Sequence, residues 1–197
     1  MTIATPPQSP PVAGPPPARP PTALREPAPK PAETGVWVAI ATISMTFAAL
    51  TSAMVVRGSA APDWQHFRLP PILYVNTLLL LVSSLTLESA RRRTAAVWLQ
   101  ATLGLGLLFV TGQVVAWRQL AAQGLFLATS PSSAFFYVFT ALHALHVLGG
   151  LAGLLYVLRH LHPAGPVPTT ALGAATLYWH FMAVLWLYLL IILTIRV

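Results

Sequence analysis

Five long apolar segments follow one another along most of this chain, at about residues 35–57, 71–90, 95–118, 133–159 and 170–195. A helix needs roughly 20 apolar residues to cross about 30 Å of hydrocarbon, and each segment is about that long. The segments lack the alternation of a membrane barrel strand and are too long for one. They therefore predict an all-α integral membrane protein, a bundle of five transmembrane helices.

The composition agrees with a membrane protein. Hydrophobic residues make up 56% of the 197 and charged residues only 8%, against about 25% charged in a typical soluble domain. The absence of cysteine excludes disulfides, iron–sulfur clusters and thiolate nucleophiles. The net charge of +7 lies in the N-terminal tail and at the ends of apolar runs. That placement is typical of topology signals and argues against a nucleic-acid partner.

The first 33 residues differ from the rest because they hold most of the 19 prolines, in runs such as PPVAGPPPARPP. Proline fixes φ and removes backbone donors, and few apolar residues are present to offset the entropy of ordering. We expect residues 1–33 to form a disordered tail and residues 34–197 to form the membrane domain.

The distribution of Lys and Arg predicts the orientation. The tail, the connection with Arg91, Arg92 and Arg93, and the one with Arg159 carry seven basic residues; the opposite side carries four. The side with more positive charge faces the cytoplasm. The N-terminus is therefore expected inside and the C-terminus outside.

Carboxylates are nearly absent from the apolar segments. Only Glu88 touches one, at the end of the second segment and four residues before Arg92. This spacing predicts an ion pair at the cytoplasmic end of a helix. A pump or transporter needs a series of ionisable groups across the membrane. The apolar segments contain no such series of acids, which argues against an ion pump or a five-helix transporter built from this protein alone.

Three histidines lie inside apolar segments, and two readings of them stay open. His143 and His146 are one helical turn apart in the fourth segment, and His180 lies in the fifth. They could bind a haem or a metal, as in a small b-type cytochrome or a diiron enzyme, although metal sites usually have three or four ligands. The favoured reading is hydrogen bonding between helices.

Other residues suit contacts between helices or with the membrane interface. Small residues allow close packing, and polar side chains bond across helices; aromatic residues near segment ends anchor them at the interface. The helix-packing residues are Asn76, Thr77, Gln113 and the pair Gly149 and Gly153, and the aromatic anchors include Trp117 and Tyr178.

Four stretches, in order, resemble subunit III of the haem–copper terminal oxidases, in its short five-helix bacterial form. They are RLPPILYVNTLLLLVSSLTLESA, LGLLFVTGQVVAWRQLAAQG, SSAFFYVFTALHALHVLGGLAGLLYVLR and TLYWHFMAVLWLYLLIIL. With the first helix they cover nearly everything after residue 34. The motifs bring Trp179 and Trp186 into the set of expected interface residues. The chain departs from the family at Ile43, Ala116 and Ala183, where acids are common.

The resemblance implies a non-catalytic subunit of the complex that passes electrons from cytochrome c to oxygen and translocates protons. Subunit III has no redox centre of its own; haem and copper are expected in partner subunits, and phospholipid is expected to bind this chain. The implied partners are subunits I and II, with a small subunit IV and a larger respiratory supercomplex as further candidates. The implied location is a bacterial inner membrane. A quinol oxidase and an accessory protein of nitric oxide reductase are the nearest alternatives.

Overall fold

The computed structural model describes residues 31–60, 62–93, 96–160 and 169–197, and these form five α-helices. In chain order the helices are α1 (Pro31–Ala60), α2 (Ile72–Arg93), α3 (Ala96–Ala122), α4 (Pro131–Arg159) and α5 (Thr169–Arg196). All five are long and apolar enough to cross a membrane. The predicted all-α membrane fold is confirmed.

Three helices run at least three residues past the sequence-based expectation, and α1 and α3 end three and four residues later than expected, at Ala60 and Ala122. α1 begins at Pro31, inside the predicted tail, and α2 continues to Arg93 instead of ending before the arginines. Proline is tolerated in the first turn of a helix, and long arginine side chains can reach water from a helical turn. The rest of the predicted tail, residues 1–30, lies outside the described residues.

The start of α4 is fixed by its own side chains. Ser130 caps the helix: its Oγ accepts a hydrogen bond from the backbone N–H of Ser133, while the Ser133 Oγ accepts one from the Ser130 N–H. Pro131 follows at the first helical position, where its missing N–H costs nothing. This reciprocal capping satisfies N–H groups that the first helical turn leaves unpaired.

The helices are arranged around α4 and α5. α4 contacts α1, α3 and α5, while α5 contacts α1, α2 and α4. α2 and α3 pack on each other at one side of this pair, and α1 covers the other side. α4 and α5 are the most buried helices and α1 the least.

The connection between α1 and α2 closes one end of the bundle. The Trp64 indole N–H donates to the Arg196 carbonyl at 2.9 Å, and the Phe67 N–H donates to the Val197 carbonyl at 2.7 Å. The Ser132 hydroxyl donates to the Gln65 carbonyl at 2.6 Å. The connection thereby satisfies carbonyls at the end of α5 and ties that end to the start of α4.

Candidate functional site

Two tryptophans of α5 bind hydroxyl groups of α2. The Trp179 indole N–H donates to the Ser83 Oγ at 2.9 Å, and the Trp186 indole N–H donates to the Thr77 Oγ1 at 3.0 Å. Both indoles are 1% exposed. Buried indole N–H groups need an acceptor, and here the acceptors are small hydroxyls on the facing helix.

Two tyrosines of α5 bind the other helices around it. The Tyr178 hydroxyl donates to the His146 carbonyl of α4 at 3.0 Å. The Tyr188 hydroxyl donates to the Thr51 Oγ1 of α1 at 2.8 Å. Since Trp179 and Trp186 bond to α2, helix α5 has an aromatic hydrogen bond to three neighbouring helices. We call these four bonds the α5 aromatic network.

Trp117 makes an equivalent bond between α3 and α4. Its indole N–H donates to the Thr140 Oγ1 at 2.9 Å. Trp117 and Tyr178, expected as anchors in the membrane interface, therefore direct their polar atoms to groups inside the bundle.

Asn76 of α2 and Gln113 of α3 meet in the core. The Asn76 Nδ2 donates to the Gln113 Oε1 at 3.4 Å, and both residues are buried. The Asn76 Oδ1 and the Gln113 Nε2 have no partner among the described residues. Gly112 makes the contact possible, because a Cβ at that position would overlap the Asn76 amide.

His143 is fully buried among aromatic rings. Its ring centroid lies 5.1 Å from that of Trp186 and 5.7 Å from that of Phe109. Neither ring nitrogen has a hydrogen-bond partner within the described part of the chain. Among these residues His143 therefore makes no hydrogen bond to another helix, and its place at a helix or subunit interface stays a prediction. Its position lies in a layer of rings that fill the space between α3, α4 and α5.

His146 and His180 also differ from the expected hydrogen bonding. The His146 Nδ1 bonds to the Leu142 carbonyl of its own helix at 2.7 Å, and its ring lies edge-on to Phe47 of α1, at 6.0 Å. His180 is half-buried and has no hydrogen bond to another described residue. The rings of His143 and His146 thus pack against aromatic rings of different helices, although the two residues are one turn apart.

The positions of the three histidines also test whether they could bind a haem or a metal ion together. Across residues 31–60, 62–93, 96–160 and 169–197, no three His, Asp or Glu side chains come together in a group that could hold a metal ion. Both ring nitrogens of His143 are buried, and the ring packs against Trp186 and Phe109. These three histidines do not fit a shared ligand set.

The expected glycine pair on α4 is only partly involved in close packing. A Cβ at Gly149 would lie 3.9 Å from the Tyr178 hydroxyl, and a Cβ at Gly153 would meet nothing within 4 Å. The close approach occurs at Gly150, where a Cβ would lie 3.1 Å from both Trp179 and Tyr178. Gly149 and Gly153 instead line an open groove of about 490 Å³ between α1, α4 and α5.

Glu88 pairs with two arginines at the end of α2. Its Oε1 lies 2.9 Å from the Arg92 Nε, and its Oε2 lies 3.2 Å from the Arg91 Nε. The predicted partner Arg92 is therefore joined by a second, Arg91, one helical turn along the chain. Both arginine side chains are more than half exposed, so solvent screens the pairs.

The three positions where the resembling family often has acids are buried. Ile43 is 7% exposed, Ala116 is 0% and Ala183 is 5%. Each side chain belongs to an apolar contact surface between helices. An acid at these positions would need a partner inside the bundle.

Several hydroxyl partners were not identified from the sequence. Thr140 and Thr51 accept from aromatic donors, and the Thr86 and Thr102 hydroxyls bond across α2 and α3 at 2.9 Å. These threonines could have been found from the sequence, because a small residue with a hydroxyl group in an apolar helix is a candidate for a hydrogen bond between helices.

Comparison with known proteins identifies the family. The family model for cytochrome c oxidase subunit III matches residues 37–196. A cytochrome c oxidase subunit 3 from Synechocystis sp. is 31% identical over 80% of this chain and 72% of its own length. One from Corynebacterium diphtheriae is 28% identical over 68% of this chain and 69% of its own.

A quinol oxidase subunit shows a similar sequence identity to this chain. The quinol oxidase subunit 3 of Bacillus spizizenii is 28% identical over 79% of this chain and 82% of its own length. The matched region contains all five helices except the first turns of α1, and with them the α5 aromatic network. The chain therefore belongs to the cytochrome c oxidase subunit III family.

Proposed function

We propose that this chain is the non-catalytic subunit III of an aerobic haem–copper terminal oxidase. The match of residues 37–196 to the subunit III family carries the proposal. In this role the chain packs on subunit I, and subunits I and II hold the haems and copper. A small subunit IV and a respiratory supercomplex are further proposed partners.

The arrangement of polar groups supports a structural role. The indole N–H groups of Trp117, Trp179 and Trp186 each bond to a hydroxyl on a neighbouring helix. These three hydrogen bonds stabilise the packing of the helices on one another. A rigid bundle of this kind suits the proposed tasks in assembly, lipid binding, support of proton uptake and stability during turnover.

The proposed setting is the inner membrane of a bacterium, with the N-terminus in the cytoplasm. The charge count supports this orientation, because the ends of α2 and α4 at that side carry Arg91, Arg92 and Arg159. Anionic lipid and the positive-inside rule favour these residues at the cytoplasmic face.

The electron donor in the proposed function is cytochrome c, and quinol is the second candidate. The names of the relatives support both donors: those from Synechocystis and Corynebacterium are named for cytochrome c, and the one from Bacillus for quinol. The donor binds elsewhere in the complex, so the residues of this chain do not separate the two.

Purification of the tagged full chain from its own membrane in mild detergent tests the proposal. We expect stoichiometric co-purification of larger oxidase subunits, a haem spectrum, bound copper and oxygen uptake with reduced cytochrome c. Oxygen uptake with quinol but not with reduced cytochrome c would show that quinol is the electron donor. A haem or metal bound stoichiometrically to this chain after its separation from every partner would contradict the proposal and make the histidines ligands.

A further inference from the structure

His180 is an ionisable residue deep in a membrane-spanning helix. It lies eleven residues after Thr169 and sixteen before Arg196, the two ends of α5. At a rise of 1.5 Å per residue it is about 16 Å from one end of the helix and about 24 Å from the other. Because the hydrocarbon layer is about 30 Å thick, the imidazole of His180 lies inside it, below the depth of the lipid headgroups.

The ring of His180 reaches the outer surface of the bundle without a partner. The residue is half-buried and makes no hydrogen bond among the described residues. Unlike the nitrogens of His143, those of His180 are not enclosed by the protein. A polar group without a hydrogen bond is costly in hydrocarbon, and ionisable residues in membrane helices almost always face a polar partner. His180 therefore lacks, within the described chain, the partner that its place in the membrane demands.

His180 belongs to a side of α5 that points away from the bundle. Val184, Ile191 and Ile195 follow it at intervals of four, seven and four residues, which places all four side chains on one side of a helix. The exposed fractions of these three are 63%, 58% and 68%. His180 is the one polar side chain among the four. We call these four residues the His180 face.

The His180 face is the floor of a gap between two neighbouring helices. α5 is bonded to α2 on one side through Trp179 and to α1 on the other through Tyr188. Since successive residues of a helix are turned by about 100°, His180 points between these two directions, with Tyr178 and its bond to α4 on the opposite side. In the described part of the chain α1 and α2 do not contact each other. The gap between them therefore opens over the imidazole.

We propose that one transmembrane helix of a partner subunit lies on the His180 face and offers a polar side chain to the imidazole. A helix in hydrocarbon satisfies its own backbone, so the group that meets His180 belongs to a side chain: a hydroxyl, an amide or a carboxyl. Acyl chains carry no hydrogen-bonding group at this depth. The inference rests on the proposed function, which sets this chain among larger subunits, and adds the surface and the residue that meet one of them.

Photocrosslinking in the intact complex identifies what covers the His180 face. A small diazirine amino acid replaces Val184 in the tagged full chain, and the native membrane is irradiated before the complex is purified. We expect an adduct with a subunit that co-purifies stoichiometrically, mapped to one apolar helix within a turn of a polar residue. An adduct of lipid mass alone, or one between two copies of this chain, would overturn the proposal.

Leu78 of α2 is the matched control position for the crosslink. It is 63% exposed, as Val184 is, and the bond between Trp186 and Thr77 sets it at nearly the same depth. A diazirine at Leu78 should give lipid adducts. The same protein adduct from both positions would show that the partner does not select the His180 face, and would overturn the inference.

Substitution of His180 tests the hydrogen bond. His180→Leu removes both ring nitrogens, His180→Gln keeps a donor and an acceptor, and Ile191→Leu alters the same face without a change of polarity. We expect His180→Leu to weaken retention of the crosslinked subunit about threefold in a detergent titration. The other two variants should retain it as the unmodified chain does, with equal amounts of tagged chain in the membrane. Equal retention by all three variants would overturn the role of the imidazole.

The inference and the proposed function fail in different ways. A Val184 adduct with a membrane protein that is not an oxidase subunit would contradict the proposed function and leave a partner helix on the His180 face. A lipid adduct at Val184, from a preparation that contains the oxidase subunits, would contradict the inference and leave the proposed function standing.

Discussion

The imidazole of His143 in α4 packs on the indole of Trp186 in α5, with ring centroids 5.1 Å apart. Phe109 of α3 lies edge-on to both rings, at 5.7 Å from His143 and 5.0 Å from Trp186. Three helices therefore meet in one cluster of three rings. The indole is held in turn by its bond to Thr77 of α2, so the cluster links four of the five helices.

His143 should be replaceable by a ring without nitrogens. Both ring nitrogens lack a partner among the described residues, and unpaired buried polar atoms reduce stability. We expect His143→Phe to keep or raise the thermal midpoint of the purified protein. His143→Ala should lower the free energy of unfolding by about 2 kcal/mol or more, since it leaves a cavity. Equal losses in the two variants would mean that a nitrogen of His143 has a partner outside this chain.

The bond from Trp179 to Ser83 should be measurable as a coupling between α5 and α2. Trp179→Phe removes the donor and keeps most of the ring, while Ser83→Ala removes the acceptor. Because hydrogen bonds between membrane helices contribute about 0.6 kcal/mol on average, we expect a coupling energy of that order from a double-mutant cycle. Strictly additive losses would show that the 2.9 Å contact adds nothing to stability.

Gly106 should not tolerate a side chain, although it lies in an apolar helix. A Cβ there would approach Leu151 and the Trp179 ring to 2.7 Å, and the indole cannot move away without losing its bond to Ser83. We expect Gly106→Ala to lower the free energy of unfolding by about 1 to 3 kcal/mol. Gly104→Ala, two residues away and with nothing within 4 Å, is the control and should cause no loss in the same thermal assay. Similar midpoints for the two variants would contradict the close packing.

The proposed orientation can be tested at the two ends of α4. The chain has no cysteine, so a single introduced thiol reports its own side of the membrane. Ala128 and His160 are exposed, one before and one after α4. Ala128→Cys should react with a membrane-impermeant maleimide in intact cells, and His160→Cys only after lysis. The reverse pattern would place the N-terminus outside.

Some contacts between helices could be predicted from the sequence and others could not, for one physical reason. In an apolar solvent, hydropathy gives the length of a helix but not the face that it buries, because all faces are apolar. Asn76 and Gln113 were recognisable as interface residues from their type, whereas Trp186 entered through the family motif. Close packing occurs at Gly150 and not at Gly153 because the aromatic residues of α5 lie against Gly150. For the same reason Trp and Tyr, and not His, donate the hydrogen bonds between helices.

The five-helix membrane fold follows from the amino-acid sequence, because a segment of roughly 20 apolar residues can satisfy its backbone in lipid only as a helix. The sequence also determined the family, through motifs spread over four of the helices. The partners of the three indole N–H groups depend on how the helices pack: Thr77 for Trp186, Ser83 for Trp179 and Thr140 for Trp117. These pairs lie 23 to 109 residues apart, so they exist only once the helices have packed.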